Sequence, residues 1–182
     1  PILCYPGGKQ RLVPVILKRM PEHETYVEPF FGGGSVFFAK APAKKEVISD
    51  LDKGLMDFHR AVRKMRESDF KRCDLSFANP KKFLKLREKR RFGQKLTPCQ
   101  FLYLNKVSFG CKGESAGRWK LRSQRDAGNP RFGMSHIDRH FKEIQERLKG
   151  AKIEHGDFRQ TMKRHDSPGT FFYLDPPYFG NP

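Results

Sequence analysis

The chain reads as an α/β protein, a sheet wound by helices and interrupted by a basic helical insertion. Three observations predict this. Short apolar stretches alternate with amphipathic helical patterns over residues 5–67, and the same rhythm returns from 135 to 174. Between them, residues 70–135 carry helical patterns but no convincing strand. That interval also holds the excess of positive charge: residues 80–132 contain 15 basic and 3 acidic residues, a net +12 of the chain's +17.

The elements follow in order. "CYPGGKQRLVPVILKRM" opens on a Pro-Gly-Gly turn and continues as a helix bearing Leu12, Val15, Ile16 and Met20, with Pro14 tolerable in its first turn. "ETYVEPFFGGGSVFFAK" predicts a strand over 26–29, a turn at Gly32, Gly33 and Gly34, and a helix from Ser35. "KEVISDLD" is a second strand ending at Asp50 and Asp52, and 53–67 is a helix with Leu55, Phe58, His59, Val62 and Met65 on one face. In the insertion a helix covers 80–91. Another starts at "TPCQ", where Thr97 suits the N-cap, Pro98 the first helical position and Gln100 the capping box. "SFGCKGESAGRWKLRSQRDAGNPRFG" reads as a long mobile loop or a small irregular unit, a length usually functional or disordered. A helix over 135–148, a strand over 152–155, a short helix from Asp157 and a strand over 170–174 complete the pattern. Residues 1–69 and 136–182 thus make one α/β domain, with 70–135 inserted.

The totals narrow the class. At 182 residues, 37% apolar and with 17 Phe, the chain can bury one real core. No apolar run approaches a membrane span and no leader pattern is present, so a soluble cytoplasmic protein is expected. Cys4, Cys73, Cys99 and Cys111 are widely spaced without a C-x-x-C pair, which predicts unpaired thiols rather than disulfides or zinc. His23, His59, His136, His140, His155 and His165 form no ligand spacing, so no metal is expected. The basic interval interleaves with Phe83, Phe92, Phe101, Tyr103, Phe109 and Trp119, and points to a polyanion, most simply nucleic acid. Composition does not separate DNA from RNA.

Two motifs carry chemistry. In "VEPFFGGGS" a strand runs into a glycine turn that lets a ligand approach the backbone. Asp50 stands 18 residues beyond Gly32, at the end of the next strand, where a carboxylate can accept hydrogen bonds from ribose hydroxyls. An adenosine-bearing cofactor fits; a P-loop does not. In "FFYLDPPYFG" Asp175 falls at the carboxyl end of a strand, two prolines leave carbonyls without N–H donors, and Tyr178 offers a flat face. A carboxylate, a carbonyl acceptor and a stacking ring suit a planar group carrying an amine. An amine held by two acceptors has its lone pair drawn out of conjugation and becomes nucleophilic.

"YPGGK", "VEPFFGGGS", "ISDLD", "FLYLN" and "DPPY", in this order, resemble the Dam-type adenine-N6 DNA methyltransferases, including phage and restriction-associated members. The resemblance runs from Tyr5 to Tyr178. It implies a Rossmann-like methyltransferase sheet with an inserted target-recognition region, S-adenosylmethionine as methyl donor, and a flipped adenine in double-stranded DNA methylated directly. Tyr5 and Lys9 would help bind the cofactor, Asp50 its ribose, and Phe30, Gly32 and Gly34 its methionine part, with Glu28 facing the sulfonium. Asp175, Pro176 and Tyr178 would be catalytic, and Asp175 would also border the cofactor. The family carries Asn-Gly-Leu-x-Arg-x-Asn after "FLYLN". Here "KVSFGCKGESAGRWKLR" stands instead, so no recognition sequence transfers, and Lys112, Arg118, Lys120, Arg122 and Arg125 are expected to meet DNA. A monomer is expected, with a cognate restriction enzyme as the further partner of a restriction-associated member. Complete members carry further strands after this loop, so a longer parent chain is expected.

Other readings stay open: cytosine-N4 or RNA methylation on the same fold, or a non-catalytic DNA-binding remnant. Pro-Cys in "TPCQ" also occurs at the nucleophile of cytosine-C5 methyltransferases. No Glu-Asn-Val accompanies it, and the helix cap accounts for Thr97, Pro98 and Gln100, so Cys99 is expected to be structural.

Overall fold

The computed structural model describes residues 1–5, 7–75, 79–108, 111, 113 and 135–177. Four parallel strands form one sheet in the order β3-β2-β1-β4: β1 (Thr25–Glu28), β2 (Lys45–Ile48), β3 (Ala151–Ile153) and β4 (Thr170–Phe172). Strand β1 is central, with Val27 in register with Val47 of β2 and Phe172 of β4. The chain first steps outward from β1 through β2 to β3, then returns to the other side of β1 as β4. The carboxyl ends of β1 and β4 therefore flank a topological switch point, where α/β sheets leave a crevice.

The helices are α1 (Val13–Arg19), α2 (Lys53–Lys64), α3 (Glu67–Lys71), α4 (Pro80–Arg91), α5 (Pro98–Val107), α6 (Ser135–Lys149) and α7 (Phe158–His165). Their ends obey local chemistry. Asp52 caps α2 by accepting from the Leu55 N–H, Asn79 caps α4, and Asp157 caps α7. Thr97 and Gln100 complete the expected capping box of α5, with Pro98 in its first turn.

One apolar core joins both parts of the chain. It includes Tyr26, Phe37 and Ile48 from the sheet region, Phe58 and Val62 from α2, and Phe83, Phe101 and Leu102 from α4 and α5. Phe58 of α2 and Phe101 of α5 stack with ring centroids 5.2 Å apart. Phe70 of α3 and Phe141 of α6 stack likewise at 4.3 Å. His59 is fully buried among Phe31, Phe38 and Phe58, and burial drives its imidazole pKa down to about 3, so it packs as a neutral ring.

Two expectations need correction. The helix from Ser35 does not form. Residues 35–40 make only a hydrogen-bonded turn, from Phe38 N–H to Gly34 O and from Lys40 N–H to Val36 O. Gly34 at φ +65° precedes them and Pro42 follows, which leaves too short a span for a regular helix. The cysteines are not free thiols either: Cys4 is bridged to Cys111 and Cys73 to Cys99. The Cα atoms lie 5.7 and 5.1 Å apart, brought together by packing across sequence separations of 107 and 26 that no local pattern reveals. Cys99 thus sits in a bridge in the first turn of α5.

Candidate active site

A cleft of about 1180 Å³ opens at the carboxyl ends of the strands. Its floor is the glycine turn after β1. Gly32 lies at φ +48°, and a Cβ there would meet the Tyr5 ring at 2.9 Å, so this close approach admits only glycine. Tyr5 lies over the turn and fixes it from above, and the Tyr5 carbonyl accepts from the Gly8 N–H at 3.1 Å.

Asp50 buttresses the same turn. Its Oδ2 accepts from the Gly32 N–H at 2.9 Å and its Oδ1 from the Asp52 N–H at 3.0 Å. Burial raises its pKa despite these bonds. Each oxygen keeps a lone pair for a further donor.

Glu28, the last residue of β1, is buried, and its Oε2 accepts from the Tyr26 hydroxyl at 2.7 Å. Burial, aided by the Asp175 charge and opposed by the Tyr26 hydroxyl, pushes its pKa up to about 8. Asp175 follows β4. Lys9 Nζ donates to both its oxygens, at 2.6 and 2.7 Å, and to the Gly7 carbonyl at 2.9 Å.

Every described residue that the sequence singled out for cofactor or catalysis lines this cleft: Tyr5, Lys9, Glu28, Phe30, Gly32, Gly34, Asp50, Asp175 and Pro176. Tyr178, Lys112, Arg118, Lys120, Arg122 and Arg125 lie outside the described residues.

The cleft also contains residues that sequence reasoning missed. Asp157 and Phe158 follow β3, and the Phe158 and Phe30 rings sit 4.9 Å apart. Their signal was available, since "HGDF" stands at a strand end as "SDLD" does. Leu51 also lines the cleft and is 72% exposed. Arg90 of α4 reaches in to bond Asp52 Oδ2 at 2.7 Å.

Asn105 of "FLYLN" is buried and clamps the rim. Its Oδ1 accepts from the Cys4 N–H at 3.1 Å, and its Nδ2 donates to the Cys4 and Cys111 carbonyls at 2.7 and 2.8 Å. It ties the strand of chain before Tyr5 to the segment after α5.

The cleft carries five carboxyl groups in a chain of net charge +17; Lys9, Arg90 and Arg159 pair with Asp175, Asp52 and Asp157, which leaves Asp50 and the buried Glu28 without a cationic partner in the cleft. Such a site favours a cationic ligand within and a polyanion outside. Among the described residues no group of His, Cys, Asp or Glu is arranged to hold a metal ion, and no helix is long and apolar enough to cross a membrane.

The chain is similar to known methyltransferases. The chain is 31% identical to the type II methyltransferase M1.LlaDCHI of Lactococcus lactis subsp. cremoris over 98% of its own length and 65% of that protein's. It is 27% identical to the type II methyltransferase M.MjaIII of Methanocaldococcus jannaschii, over 98% and 68%. It is 28% identical to the DNA adenine methylase of Serratia marcescens, over 97% and 66%. The chain therefore spans about two thirds of the length of the curated relatives it matches. The D12 class N6 adenine-specific DNA methyltransferase profile matches residues 5–181, nearly the whole sequence, and the chain belongs to that family.

Proposed function

We propose that the protein methylates the exocyclic N6 amine of an adenine flipped out of duplex DNA, with S-adenosylmethionine as donor. The observation that carries this is the convergence of Glu28, Asp50 and Asp175, from three strand ends, in one acidic cleft of a +17 chain. The residues fit the donor. A sulfonium and an ammonium are cations, for which Glu28 and its neighbours are suited. Asp50 retains lone pairs for ribose hydroxyls, and the Phe30–Phe158 pair with Leu51 offers an apolar wall for a purine. When bound, the donor supplies an electrophilic methyl group.

The chain's own residues prepare the amine. Asp175 and the Pro176 carbonyl each accept one of its N–H bonds, and Pro177 adds no competing donor. An amine so held loses conjugation with the ring and presents its lone pair, and the carboxylate stabilises the positive charge that develops on nitrogen. Tyr178 stacks on the base in this reading. Residues 70–135 form the recognition insertion, in which Lys112, Arg118, Lys120, Arg122 and Arg125 meet phosphates and base edges.

The test is transfer of labelled methyl from S-adenosylmethionine to mixed-sequence duplex DNA by the complete protein, followed by nucleoside analysis. Label in N6-methyladenine is expected. Label in cytosine, or in RNA alone, overturns the substrate, and no label in either leaves a DNA-binding protein without turnover.

A further inference from the structure

Helix α4 turns to solvent a face that the reading above does not use. Its sequence, PKKFLKLREKRR, holds seven basic residues and a single acid, Glu88. The inward side has its partners. Phe83 and Leu86 are buried, Lys82 pairs with Asp74 and stands over the Tyr103 ring, and Arg90 pairs with Asp52. Lys81, Leu84, Lys85, Glu88, Arg91 and Phe92 follow one another at helical spacing and are all exposed. Lys95 is exposed in the turn that follows.

Two features separate this stripe from an ordinary solvated face. Lys81, Lys85, Arg91 and Lys95 form no ion pair among the described residues, whereas many surface cations of this chain do. And Phe92 is 72% exposed among those cations. The chain end of the helix holds it there: Gly93, at φ +67°, turns the backbone away, and Gln94 N–H bonds back to the Lys89 carbonyl at 2.8 Å. An aromatic ring set among unpaired cations complements a polyanion that also offers flat apolar groups. Nucleic acid has both.

The face is also placed to be used. Arg90 lines the cleft from the inward side of α4, and Arg91 and Phe92 follow it directly in the chain, so the carboxyl-terminal end of the exposed face is the end nearest the cleft. From Lys81 to Arg91 the helix rises about 15 Å, the axial length of four to five base steps.

We propose that this face of α4 is a second DNA contact, distinct from the cluster between Lys112 and Arg125. Lys81, Lys85, Arg91 and Lys95 neutralise backbone phosphates beside the target base, and Phe92 packs against an exposed sugar or base. The proposal rests on the methyltransferase reading. Because phosphate contacts carry no sequence information, the face adds affinity and orientation without choosing a recognition site.

The experiment measures binding of the complete protein to mixed-sequence duplex DNA over a salt series. The variants are Lys81→Ala with Lys85→Ala, Arg91→Ala with Lys95→Ala, and Phe92→Ala. The control is Lys64→Ala with Lys163→Ala, two exposed cations in the last turns of α2 and α7, neither of which lines the cleft. Each α4 pair is expected to reduce the slope of log affinity against log salt by about 1 to 2, at roughly 0.9 per phosphate contact, and to weaken binding about tenfold. Phe92→Ala is expected to weaken binding severalfold with its slope unchanged. Thermal melting of each variant is expected to match the parent, because the replaced side chains are exposed. If the α4 pairs keep the parent's slope, or the control pair lowers it equally, the α4 contact is overturned and the methyltransferase reading stands. A parent without salt-sensitive duplex binding overturns both.

Discussion

Lys9 Nζ donates to both carboxylate oxygens of Asp175 across 166 residues of sequence, joining the first loop of the cleft to the last. A carboxylate has about four lone-pair positions, so Lys9 leaves each oxygen one for the adenine amine and need not move aside. Its cation also offsets the Asp175 charge, which otherwise bears on Glu28. Lys9→Met is expected to slow single-turnover methyl transfer by roughly tenfold to a hundredfold, through lost orientation of the acceptor. DNA affinity is expected to hold. Rapid-quench methylation beside equilibrium DNA binding checks both, and an unchanged transfer rate removes Lys9 from the chemistry.

In the proposed reaction Asp175 supplies the acceptor on which the amine depends. Asp175→Ala is expected to lower methyl transfer on the order of 10³-fold while most DNA affinity remains, since that resides in phosphate-facing Lys and Arg. Asp175→Asn keeps the shape but replaces one acceptor oxygen with a donor, and is expected to be nearly as slow. If Asp175→Ala methylates like the parent, the catalytic assignment is wrong.

Glu28 is expected to make S-adenosylmethionine binding sensitive to pH. Its pKa of about 8 in the folded chain exceeds the ordinary 4.5, so between those values the native state holds a proton that the unfolded chain has lost. Stability from this group is complete below the ordinary value and declines as pH rises through that window. A cation beside Glu28 favours its ionised form, so binding S-adenosylmethionine near pH 7 is expected to release close to one proton, and affinity is expected to climb toward about pH 8. Calorimetry in two buffers of different ionisation heat reads the proton count. Glu28→Gln is expected to release none; if the parent releases none, Glu28 does not face the cation.

Most of the cleft was legible because its residues stand at strand ends, next to glycine and proline breaks that punctuate the sequence. Glu28, Asp50 and Asp175 close three of the apolar runs, and the bounds of α4 at 80–91 and the capped start of α5 at Thr97 and Gln100 match the expectation. What escaped needed partners distant in sequence. Arg90 reads as one more cation of a basic helix until packing sets it against Asp52. Helical periodicity likewise says nothing of which cysteines meet. The segment after Gly34 failed as a helix because local propensity there was cut short at Pro42, and Lys40 turned inward to pair with buried Glu46.

Asn105 links the segment before Tyr5 to the segment after α5. Its amide spends one acceptor and both donors on Cys4 and Cys111, so truncation leaves up to three backbone groups without partners. Asn105→Ala is expected to cost about 2–4 kcal/mol of stability and to weaken S-adenosylmethionine binding roughly tenfold, because Tyr5, the next residue after Cys4, covers the glycine turn. The measurement belongs under reducing conditions, where the Cys4–Cys111 bridge cannot substitute for the clamp. Asn79→Ala provides the comparison: it removes the cap of α4, at about 1 kcal/mol, without touching the cleft. If it weakens cofactor binding as much for each degree of melting temperature lost, Asn105 contributes general stability alone. If cofactor affinity falls only with Asn105→Ala, the amide sets the position of Tyr5 over Gly32, and the one polar side chain among the five buried residues of "FLYLN" that bonds Cys4 and Cys111 is what holds the two loops in register.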